Sequence, residues 1–193
     1  MRIAAALLLG TLAAGCNAPA PQQTVQQNDA ARAEELKDVN GWDRVFGAPD
    51  AAIGGANQFG FRPTPYAAEG TGFASKGGPV MVAGSMSKTP NTASFAARGA
   101  AAGKIDTILF SLSIGDQKTA KDARKRFAAI VRDYLFQSKI EADALMPALE
   151  QGVAARGDLT GTPYAIDADK DRVAITFTRN GAEAPANSKP QGN

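Results

Sequence analysis

The chain predicts an α+β domain: an antiparallel sheet of about five strands, with a long helix and a short helix packed on one face. Three stretches carry that expectation. In Ile105 to Ile114 (IDTILFSLSI), Ile108, Phe110, Leu112 and Ile114 alternate with Leu109, Ser111 and Ser113, the pattern of a strand covered on one side. From Ala120 the apolar residues instead recur at steps of three and four, through Ala123, Phe127, Ile130, Val131 and Tyr134. That is a single helical stripe, suited to lie on a sheet. Further on, TPYAID and RVAITFTR flank DADKD, the layout of a hairpin.

The other elements follow in chain order. Asp29 to Val39 predicts a short helix, with Asp29 as N-cap and Ala30, Ala33, Leu36 and Lys37 on one side; Asn40-Gly41 stops it. Trp42 reads as a core or docking residue rather than a ligand stack. Gly54 to Gly78 is rich in glycine, carries Pro63 and Pro65, and sustains neither period, which predicts a long irregular loop. Phe59, Phe61, Tyr66 and Phe73 would pin it to the core, or would line a lipid or small-molecule site. Pro79 to Met86 and Ala93 to Gly99 predict two strands joined through the turn KTPN. The long helix runs from its cap at Asp116 to about Gln137. A second, from Asp143 to Gln151, tolerates Pro147 only in its first turn and stops at Gly152. After Asn180 the chain is polar and predicts a disordered tail, 180–193.

The first residues predict a destination. Met1 and Arg2 precede an apolar run from Ile3 to Ala14, shorter than the roughly 20 residues a spanning helix needs. Ala13, Ala14 and Gly15 then lead into Cys16, the only cysteine of the chain. This segment resembles the signal peptide and lipobox of bacterial lipoproteins. The resemblance implies removal of residues 1–15 and a thioether-linked diacylglycerol on Cys16, and so a lipid partner through that residue. It also explains a lone thiol in an oxidising compartment, since the sulfur is spent on lipid. Asn17 follows where Asp would imply retention in the inner membrane, so the resemblance implies the outer membrane, facing the periplasm. An ordinary secretory signal followed by a chance cysteine is the competing reading. Residues 16–28 (CNAPAPQQTVQQN) then predict a disordered tether with a reach of at most roughly 40 Å, and 29–179 a single domain.

Composition excludes several chemistries. The chain has no histidine, so Ser-His and Cys-His catalysis and the commonest zinc ligand are out of reach. With 21 basic and 19 acidic residues in 193, the net charge makes no case for a nucleic-acid partner. No cofactor or metal is implied. Ser85 to Lys88 (SMSK) matches the Ser-x-x-Lys pattern of penicillin-binding proteins and class A β-lactamases, but it closes a strand, and the companion motifs of those enzymes are missing. DADKD holds the first ligand positions of a calcium loop, yet Arg172 and Thr178 stand where that loop needs Gly and Glu. Gly99 to Lys104 (GAAAGK) lacks the residue count, the hydroxyl and the following helix of a phosphate loop. Phe46 to Asp50 (FGAPD) resembles the Gly-x-Pro turn of the small accessory lipoprotein of the outer-membrane β-barrel assembly machine, without that family's Gly-Met-Thr helix start. Lys118, Lys121, Arg124, Lys125, Arg126 and Arg132 crowd the long helix. They form either a solvated face or a patch for anionic headgroups or an acidic partner. The expectation is a non-enzymatic, membrane-anchored binding or envelope-assembly module. A lipid or small-molecule binder, or an enzyme using carboxylates or a Ser-Lys pair, is the alternative.

Overall fold

The structure is a computed structural model and describes residues 39–83 and 87–182. The expected signal segment, Cys16, the tether, nearly all of the helix from Asp29 to Val39, Ser85 and residues 183–193 lie outside the described residues.

Two short helices, α1 (Gly41–Gly47) and α2 (Pro49–Gln58), precede four strands: β1 (Ala67–Glu69), β2 (Gly72–Met81), β3 (Thr92–Gly99) and β4 (Thr107–Ser113). A 3₁₀ turn leads into α3 (Ala120–Phe136), another into α4 (Met146–Gln151), and β5 (Ala155–Leu159), β6 (Thr162–Ala168) and β7 (Arg172–Thr178) follow. The strands form one antiparallel sheet in the order β1-β2-β3-β4-β7-β6-β5. The α+β class and the antiparallel sheet are as expected. The strand count is corrected from about five to seven, and the helices in the described residues are four.

β4 lies between β3 and β7, which is why its alternation is the clearest in the chain. Phe95, Phe110 and Ile175 make one row across the three strands, and Ala93, Leu112 and Val173 the next. α3 lies on these rows: Tyr134 meets Phe110 edge-on at 4.9 Å, and Phe127 and Val131 are fully buried. Each such side chain contributes roughly 1.5–3 kcal/mol by leaving water. Asp116 caps the entry, its carboxylate accepting from Lys118 N–H at 3.0 Å. Pro147 falls in the first turn of α4, where it costs no hydrogen bond. On the other face, Ser94 and Ser111 pair their hydroxyls at 2.8 Å.

Trp42 docks α1. Its indole stacks on Phe46 at 5.4 Å and tilts over Phe177 at 5.1 Å, and its N–H donates to Leu159 O at 2.8 Å and Thr160 Oγ1 at 2.9 Å.

The expected loop from Gly54 to Gly78 is corrected. It holds the end of α2, all of β1 and most of β2. β2 escapes the alternation test because the chain at Phe61 passes directly over it. A Cβ on Gly77 would stand 2.8 Å from Phe61 O, and Gly78 N–H donates to that same oxygen at 2.6 Å. The register shifts between Gly77 and Val80, which accommodates Pro79. Phe61, 1% exposed, pins the crossing against Phe95 and Phe110. Of the expected strand from Pro79 to Met86, residues up to Met81 form the end of β2, Val82 and Ala83 lie beyond it, and 84–86 fall outside the described residues. β5, unannounced in the sequence, is a short edge strand carrying Arg156 and Asp158. It is joined to β6 by the two-residue turn Thr160-Gly161, both at positive φ (50° and 86°), the twist that hairpins favour.

Candidate functional site

α3 carries five of the six basic residues singled out in the sequence, but not as one patch. Lys121, Lys125 and Arg132 recur at steps of four and seven and so share a stripe along the outward face. Phe136 continues that stripe, 73% exposed. Arg126 sits on the other flank, alongside Asp122 and Asp133. Arg124 leaves the face altogether: its Nε donates to Glu150 O at 3.2 Å, a cation set against the C-terminal end of α4. Lys118 is exposed in the 3₁₀ turn before α3. Arg132 turns onto Asp133, with both Nε and Nη2 at about 3 Å from Oδ1. The stripe is thus two lysines, a half-neutralised arginine and an exposed phenylalanine. Beside Phe136 a groove of about 420 Å³ runs along Arg132, Asp133, Ile140, Glu141 and Asp143.

A second concavity of about 270 Å³ lies between α2 and the end of α3, lined by Arg44, Gly54, Gly55, Gln58, Tyr134 and Gln137. Gln137 Nε2 donates to Gln58 Oε1 at 3.0 Å across 79 residues of sequence. Tyr134 is 3% exposed, and its hydroxyl finds no hydrogen-bond partner among the described residues. Burial pushes that hydroxyl well above the usual tyrosine range.

The best-connected charged cluster is occupied internally. Asp106 accepts from Arg179 Nε at 3.0 Å, from Arg179 Nη2, and from Ala100 N–H at 2.8 Å. Partial burial disfavours its charge, but the Arg179 and Ala100 hydrogen bonds and the Arg179 and Lys104 charges outweigh that and hold its pKa below the usual carboxylate range. Nearby, Tyr66 donates to Lys104 O at 2.8 Å; burial, with the Asp106 charge, pushes its hydroxyl up to about 12. These bonds fasten the β3–β4 connection to the end of β7.

The sequence motifs find ordinary roles. In DADKD, Asp169 Oδ1 accepts from Asp171 N–H, Asp171 Oδ1 from Gln117 Nε2, and Asp167 pairs with Arg156 at 3.5 Å. Among the described residues no group of three or more potential ligands could hold a metal ion. GAAAGK is the β3–β4 hairpin, closed by a bridge between Ala101 and Lys104. FGAPD is the turn from α1 into α2. No helix among the described residues is long and apolar enough to cross a membrane. The chain matches no protein-family model, no curated protein and no solved structure.

Proposed function

We propose that the chain is a lipid-anchored protein of the cell envelope, held through Cys16 in the outer membrane and facing the periplasm, and that its domain is a non-enzymatic binding or assembly module. One observation carries the reading: the sole cysteine of the chain directly follows an apolar run that ends in Ala13, Ala14 and Gly15. One acyl chain gives only marginal membrane binding, whereas the two or three on such a cysteine anchor stably. The stripe of Lys121, Lys125, Arg132 and Phe136 supports a surface role, since cations beside an exposed aromatic suit the headgroup region of the membrane to which the domain is tied.

Cell fractionation of Cys16→Ala tests the anchor. The variant is expected in the soluble fraction and the parent in the membrane; a variant that stays membrane-bound refutes it. A photocrosslinker placed at position 125 or 136 of the anchored protein tests the module. Adducts with lipid or with a reproducible envelope protein are expected there and not from position 160 in the β5–β6 turn. Adducts at neither α3 position count against this surface.

A small-molecule site is the second reading. The concavity beside Gly54 and Gly55 favours it, at the start of the glycine-rich segment whose sequence suggests that role.

A further inference from the structure

The concavity against α2 is the feature that neither the anchor nor the α3 stripe explains. Two adjacent glycines stand inside a ten-residue helix, where each weakens the helix relative to alanine. Gly55 has a packing reason. A Cβ there would stand 2.9 Å from Gln137 Oε1 and 3.3 Å from Tyr134 Cε2. Gly54 has none, because among the described residues nothing lies within 4 Å of where its Cβ would be. The helix forgoes stability at Gly54 and leaves open space, and that space borders the concavity.

The lining around the space has a definite chemistry. The Gln137–Gln58 bond uses one donor and one acceptor of the two amides, leaving Gln58 Nε2 and Gln137 Oε1 for other partners. A donor and an acceptor in one lining can complement one amide group. Arg44 supplies a guanidinium, whose five donors suffice for a carboxylate alongside another partner. Under the same concavity lies Tyr134, its buried hydroxyl unsatisfied by the described residues.

We propose that this concavity binds a small molecule carrying a carboxylate and an amide, of the kind an N-acylated amino acid represents. Arg44 takes the carboxylate, Gln58 and Gln137 take the amide, and Gly54 keeps the room that a side chain would fill. The volume of about 270 Å³ suits one such unit rather than a polymer. The inference stands on the second reading above and is independent of the lipid anchor.

The test is a titration of the ¹⁵N-labelled full chain with N-acetylalanine, with inorganic phosphate as a second anion. Saturable shifts are expected at the amides of Gly54, Gly55 and Gln137 with N-acetylalanine, and none with phosphate. Gly54→Leu fills the space with a good helix former and is expected to abolish the response while the remaining spectrum is retained. Arg44→Gln, which leaves α2 untouched, is expected to weaken binding at least about tenfold. No saturable shift at these amides, an equal response to phosphate, or an unchanged response in both variants would overturn the proposal. Failure at this site leaves fractionation of Cys16→Ala unaffected, so the two claims fall separately.

Discussion

Tyr134 and Asp106 show how differently one polar atom can be treated. Tyr134 buries a hydroxyl with no partner among the described residues, which costs about 1–3 kcal/mol. Tyr134→Phe removes that group and little else, so urea unfolding is expected to show the variant more stable, by about 1 kcal/mol; a loss of stability would reveal a hidden partner. Asp106 is the reverse, held by three hydrogen bonds from Arg179 and Ala100. Its pKa is lower folded than unfolded, so the unfolded chain takes up the proton more readily. The stability it contributes is fully present above its unfolded value of about 3.9 and is lost as the pH falls through the folded value. Asp106→Asn is expected to cost about 2 kcal/mol at neutral pH and to converge with the parent only as the pH falls through the folded value, as read by urea unfolding at several pH values. Neither feature is legible in the sequence. The aspartates of DADKD are conspicuous there, while Asp106 looks like one polar residue at the start of a strand.

Among the elements, those with a sustained period are readable and those shaped by close approach are not. β4 and α3 bury one clean face each, so their spacing announces them. β2 is built where a second segment crosses it, and the glycines that permit the crossing look like loop residues in the sequence. Gly77→Ala is therefore expected to destabilise the fold by about 1–3 kcal/mol, because the new Cβ meets backbone that cannot yield cheaply; a neutral result in thermal unfolding would refute the crossing as a tight contact. β5 is short and charged, and only its turn identifies it. The basic residues of α3 are legible as a group, but their division is not, since Arg124 finds a partner that only the fold brings near and Arg132 folds back onto its neighbour. Lys121→Gln with Lys125→Gln is expected to weaken association of the unlipidated full chain with anionic vesicles by about 2 kcal/mol, roughly thirtyfold, with the difference shrinking in high salt. Equal binding by the double variant would show the stripe to be merely solvated.

For the molecule as a whole, the sequence speaks to location and the fold speaks to surface. The absence of histidine and the single cysteine already narrow the chemistry at the level of composition. The fold then supplies an outward helix face and a concavity whose amides lie 79 residues apart in sequence, a pairing that no local pattern could announce. The proposed anchor bears on the helix face, because a domain tied within roughly 40 Å of a membrane would meet headgroups and envelope components at high effective concentration. The anchor is therefore the claim to test first, by intact mass of the protein purified from membranes. The account predicts a chain beginning at Cys16, heavier than its sequence by a diacylglycerol and, after full processing, an amide-linked acyl chain, with no such species in Cys16→Ala. An unmodified Cys16, or a chain that still carries residues 1–15 in the membrane, would contradict it.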